Sequence, residues 1–101
     1  MNIRKMMKQA QEVQERMQRE VAAIEVESSV GGGMVAVRMN GNKQLLSVRI
    51  DPEVLDPADP SMVQDLVLSA VNDAARRVEE EIQSRLGAMT GLQGLPGLGL
   101  T

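Results

Sequence analysis

Met34 to Ile50, Met-Val-Ala-Val-Arg-Met-Asn-Gly-Asn-Lys-Gln-Leu-Leu-Ser-Val-Arg-Ile, decides the fold. Two runs rich in Val, Ile, Leu and Met flank Asn40-Gly41, and Asn and Gly accept the positive φ that tight hairpin turns require. With Gly41 and Asn42 as the central residues, Val37 falls opposite Leu46 and Val35 opposite Val48. One face then carries Val35, Val37, Met39, Leu46, Val48 and Ile50. Turning about Asn40-Gly41 instead would set Val37 against Gln44, and a one-residue slip in pairing would exchange the faces, so the first register is expected. The other face holds Met34, Ala36, Arg38, Leu45, Ser47 and Arg49. A two-stranded ribbon is marginal alone, so other elements must cover its apolar side.

Composition narrows the chemistry. The chain has 101 residues, 43% of them hydrophobic and 25% charged, as expected of one soluble globular domain. It contains no Cys and no His, which removes thiolate chemistry, the usual general base and the commonest metal ligands. No catalytic site, metal or cofactor is expected. Phe, Tyr and Trp are also missing, so bases cannot stack on aromatic platforms, and any nucleic acid must be held by its phosphates. With no signal-peptide pattern and no membrane span, the expected location is cytoplasmic.

The formal charge of −3 conceals a sorted pattern. Residues 1–8 carry Arg4, Lys5 and Lys8 with no acid, and the hairpin carries Arg38, Lys43 and Arg49 with none. Residues 51–65 carry Asp51, Glu53, Asp56, Asp59 and Asp65 with no base. Over residues 2–23, Ile3, Met6, Ala10, Val13 and Met17 recur at the 3-4 spacing of a helical seam leading to Ile24. Arg4, Lys5, Lys8, Arg16 and Arg19 fall on the opposite side. Glu12 and Glu15 stand four residues before Arg16 and Arg19, so those two arginines are expected to be partly neutralised. Arg4, Lys5 and Lys8 instead oppose the helix dipole, by about 0.3–1 kcal/mol each, and would welcome an anion.

Residues 24–28 alternate apolar and acidic, as in a short first strand, and Gly31-Gly32-Gly33 reads as a flexible link. Asp59-Pro60 is a plausible start for a second helix, from about Pro60 to Leu86, stopping before Gly87. Its inner side narrows to Ala70 and Ala74, which permits close approach of another backbone. The expected organisation is α+β, α-β-β-β-α, over residues 1–86, with a disordered Gly/Leu-rich tail over 87–101. Helices of about 33 and 40 Å overhang strands of about 17–20 Å. Apolar residues at the overhangs, Ile3, Met6, Ala10 and Val13 on one helix and Val78 and Ile82 on the other, are expected to meet a second copy in a homodimer.

Met-Lys-Gln-Ala-Gln at Met7–Gln11, the Asn40-Gly41 hairpin, Ile-Asp-Pro at Ile50–Pro52, Asp-Leu-Val at Asp65–Val67 and Asn-Asp-Ala-Ala-Arg-Arg at Asn72–Arg77 together resemble the YbaB/EbfC family of bacterial nucleoid-associated proteins. That resemblance implies a tweezer-shaped homodimer whose projecting helices bind double-stranded DNA and alter its conformation. Two departures stand out: no Gly-rich leader precedes Met7, and Val71 occupies a position often held by Phe. The expected DNA-binding residues are Arg4, Lys5 and Lys8, with Arg76 and Arg77 added by resemblance. A dimer of charge about −6 repels a polyanion at long range, so contact must rest on basic patches within a Debye length of about 8 Å. The competing reading is a dimeric adaptor that uses acidic helix surfaces and the Leu-bearing tail without touching DNA.

Overall fold

The structure is a computed structural model that describes residues 2–90. Its elements are α1 (Ile3–Ala22), β1 (Glu25–Val30), β2 (Val35–Asn40), β3 (Leu45–Ile50), a 3-10 turn (Pro52–Val54) and α2 (Pro60–Thr90). The strands form one antiparallel sheet in the order β1-β2-β3. The α-β-β-β-α arrangement expected from the sequence is present. Part of the expected tail is helical, because α2 passes through Gly87 to Thr90. A lone glycine costs a helix only about 1 kcal/mol relative to Ala, too little to stop it. The tail leucines Leu92, Leu95, Leu98 and Leu100 lie outside the described residues.

Both hairpin turns work differently from the sequence expectation. Gly31, Gly32 and Gly33 have φ of 64°, 69° and 93°, and the Gly33 N–H donates to the Val30 carbonyl at 3.2 Å. The run is therefore a formed turn rather than a flexible link, and it needs glycine for its backbone conformation. At the second turn the positive φ falls on Lys43 (63°), not on Asn40 or Gly41. The Lys43 N–H donates to the Asn40 carbonyl at 2.9 Å, and the Asn40 side chain accepts from the N–H groups of Asn42 and Gln44 at 3.0 Å each. Gly41 is required for space. A Cβ there would lie 1.9 Å from the carbonyl oxygen of Val21, at the end of α1. The same close approach lets the Gly41 N–H donate to Ile24 O at 3.0 Å.

The β2–β3 register pairs Val35 with Ile50, Val37 with Val48 and Met39 with Leu45, with an irregularity between Arg38 and Met39. This corrects the expected pairing of Val37 with Leu46. The shift is even, so Val48 and Ile50 keep their face; Leu46 is the extra residue, and Leu45 takes its place beside Met39.

Helix α2 lies over β1 and β2. Val35, Val37, Met39, Ala70, Ala74 and Val78 make the core, with Val26, Val30, Leu66 and Ile82 packed around it. Ala70 and Ala74 are fully buried, as their size allows. Val78 is fully buried too, and Ile82 is half-buried against the same core. The expectation that Val78 meets a second copy is thereby corrected. The helical period identifies an inner face but not which part of the helix the sheet occupies, and the sheet reaches past Val78.

Among the described residues two apolar surfaces stay uncovered. Strand β3 exposes Leu45, Leu46 and Val48 by 45–47%, and on α2 Val63, Val67, Leu68 and Val71 line an open apolar hollow. Helix α1 buries no residue, and Ile3, Met6 and Val13 are about half exposed or more. Among the described residues it is anchored at its C-terminal end. There Arg85 Nη1 donates to Glu20 Oε2 at 3.1 Å and to the Glu20 carbonyl at 3.4 Å. The protomer accordingly measures 70 × 31 × 16 Å, with a radius of gyration of 19.4 Å against about 13 Å for a compact chain of this length.

Candidate nucleic-acid interface

The α1 arm begins at Asn2, whose side-chain oxygen accepts from the Lys5 N–H at 3.2 Å. No acid stands in its first turn, so the partial positive charge of the helix end adds to Arg4 and Lys5, with Lys8 one turn on. Residues 2–16 of the arm are all exposed. Arg16 and Arg19 make no ion pair among the described residues, which corrects the expected neutralisation by Glu12 and Glu15. Exposed i,i+4 pairs are worth only a few tenths of a kcal/mol, too little to hold two long side chains together when no third group fixes either of them.

Elsewhere almost every cation is matched. Arg38 pairs with Glu25, Lys43 with Glu79, and Arg85 with Glu20 and Glu81. Arg76 pairs with Asp73 and Glu80, and Arg77 with Asp73. Among the described residues the cations without an acidic partner are Arg4, Lys5, Lys8, Arg16 and Arg19 on α1, and Arg49 on β3. The five candidate DNA-binding residues therefore divide: Arg4, Lys5 and Lys8 stand free on the arm, whereas Arg76 and Arg77 are tied down on α2.

The tie is a cluster that the sequence reading missed. Ser28, fully buried on β1, donates its hydroxyl to Asp73 Oδ2 at 2.7 Å. Arg77 Nε donates to the same oxygen at 2.8 Å, and Arg76 Nη2 donates to Asp73 Oδ1. Arg76 Nη1 also reaches Glu80 Oε1 at 2.7 Å. The Arg77 hydrogen bond, then those of Ser28 and Arg76, hold the Asp73 carboxyl well below the usual carboxylate range. Two signals were readable in advance. Ser28 sits between Val26 and Val30 at inward positions of an alternating strand, and Asp73 precedes Arg76 and Arg77 by three and four residues, the favourable order for helical pairs.

Among the described residues no helix is long and apolar enough to cross a membrane, and no group of three or more acids could hold a metal ion. Comparison with known proteins then decides the family, because the model of the YbaB/EbfC DNA-binding family matches residues 1–93. The chain belongs to that family. It is similar to nucleoid-associated proteins from Koribacter versatilis, 49% identical over 95% of each chain, and from Chloroflexus aurantiacus, 46% identical over 97% of this chain and 99% of the other. Its fold is similar to the crystal structure of the uncharacterized protein HP0035 from Helicobacter pylori. That match has a TM-score of 0.65 and 27% identity, and covers 83% of this chain and 98% of the other. Members of this family are DNA-binding proteins rather than enzymes, and within that frame the arm's unpaired cations become the first surface to consider.

Proposed function

We propose that this protein is a homodimer that binds double-stranded DNA mainly through phosphates and alters its conformation, at the nucleoid of the bacterial cytoplasm. The observation that carries this reading is the sorting of charge. The projecting helix keeps its cations unpaired, while the cations elsewhere, except Arg49 on β3, are neutralised by neighbouring acids. Arg4, Lys5 and Lys8 are the principal contacts, and the helix start beneath them adds backbone N–H groups suited to a phosphate oxygen. None is placed like a side chain of a recognition helix, so phosphate positioning outweighs base readout. The surfaces left uncovered support pairing of two protomers. Ile3, Met6, Ala10 and Val13 line one side of α1, and Leu45, Val48, Val67 and Leu68 border the open side of the sheet; a second copy would remove both from water. Two arms joined in this way can grip a duplex at separated points, and an arm spacing that differs from that of relaxed DNA would bend or compact it.

The test is electrophoretic retardation of a random duplex at two salt concentrations, with Arg4→Glu, Lys5→Glu and Lys8→Glu combined in one variant. Three phosphate contacts per protomer predict a slope of log affinity against log salt near −5 for the dimer, and near zero for the variant. Retardation that survives the charge reversal would remove these residues from the interface. No retardation by the unmodified protein at the lower salt would favour the adaptor reading.

A further inference from the structure

We propose that Asp73 is a positioning residue that withholds Arg76 and Arg77 from nucleic acid, so that DNA is held by α1 alone. This rests on the DNA-binding reading above and assigns the division of labour between the two helices. Both guanidinium groups lie on the surface, with side chains 61% and 50% exposed, so burial does not hide them. What occupies them is the Asp73 carboxylate, whose two oxygens accept from Arg76 Nη2 and Arg77 Nε while Ser28, buried beneath, fixes the carboxylate's orientation. A phosphate offers the same planar arginine fork the same kind of oxygen acceptor, and must displace a carboxylate already in place. The surroundings oppose that exchange. Glu80 accepts from Arg76, and Glu27, Glu80 and Glu81 line the hollow beside Arg77. From Asp73 to Glu81, four acids surround two bases. Among the described residues no carboxylate engages the cations of α1, which is why the same residue types serve different ends on the two helices.

The experiment is fluorescence anisotropy of a labelled random duplex, titrated across a salt series with the full-length protein. Four proteins are compared: unmodified, Arg76→Gln/Arg77→Gln, Asp73→Asn, and Asp73→Asn/Arg76→Gln/Arg77→Gln. Asn keeps an oxygen for Ser28 and removes the charge. The double arginine variant is expected to bind within about twofold of the unmodified protein with the same salt slope. Asp73→Asn is expected to bind tighter, with a slope steeper by about 0.9 for each arginine that reaches a phosphate. That gain should vanish in the triple variant. A purely structural role for Asp73 would lower thermal stability without steepening the slope, which would overturn the proposal. So would a gain that persists in the triple variant, since that reflects net charge alone. Weakened binding by Arg76→Gln/Arg77→Gln overturns it even if Asp73→Asn fails to fold. Loss of binding in the Arg4/Lys5/Lys8 reversal is independent of all four results, so failure of the DNA-binding reading remains distinguishable from failure of this one.

Discussion

At the residue scale, two kinds of glycine and one aspartate show how local chemistry sets this fold. Gly32 has φ of 69° with open space where a Cβ would go, so Gly32→Ala should cost only the left-handed strain of an L-residue, about 1–2 kcal/mol. Gly41 has no positive φ, yet its Cβ would strike the Val21 backbone. Gly41→Ala must push the end of α1 off the hairpin, and its cost, of overpacking type at about 1–3 kcal/mol, should come with lost protection of the Ile24 region in hydrogen exchange. Urea midpoints of the two variants, with exchange on the second, separate the cases. A turn was legible from Asn40-Gly41, but the reason for its glycine was not, because the reason is a carbonyl oxygen twenty residues away in sequence. Asp73 was hidden for the same cause: its buried partner, Ser28, stands on a different element. Its carboxyl is held below its unfolded value of 3.8, chiefly by Arg77. A depressed carboxyl stabilises the fold above the unfolded pKa, and that contribution is lost as pH falls through the folded one. The urea midpoint of the unmodified protein should therefore fall between pH 5 and pH 2 by more than that of Asp73→Asn; equal falls would contradict the linkage.

At the element scale, the period of each segment was enough to place both helices and the three strands, but not their contacts. Helix α2 rests on β1 and β2 through Ala70 and Ala74, where small side chains let the backbones approach. Ala74→Leu should lift the helix and destabilise the protein by about 1–3 kcal/mol, read as a lower thermal midpoint with unchanged helical signal in the native baseline. A neutral result would mean that the helix has room to shift. The alternation Val48, Ile50 in β3 reads as a buried face, and the face is correct. Its exposure was not legible, because one helix covers two strands and nothing in the sequence of β3 says which strand is left over. The Leu46 bulge was invisible for a related reason: an extra residue changes no local pattern, only the pairing.

At the scale of the whole molecule, the central claim is that the protomer is half of a paired-arm structure. A 70 Å extent with a bare α1 seam and exposed apolar residues on β3 leaves apolar surface that a lone chain in water has every reason to cover. The DNA-binding reading depends on that pairing, since three cations on a single arm give a weak grip and six give a tighter, more steeply salt-dependent one. Sedimentation equilibrium of the free protein at micromolar concentration tests this most directly, with Val48→Asp as the interface variant. The account predicts about 22 kDa, twice the 11.0 kDa chain, for the unmodified protein and a shift toward the single chain for Val48→Asp. An unmodified protein that sediments as a species of about 11 kDa would contradict it.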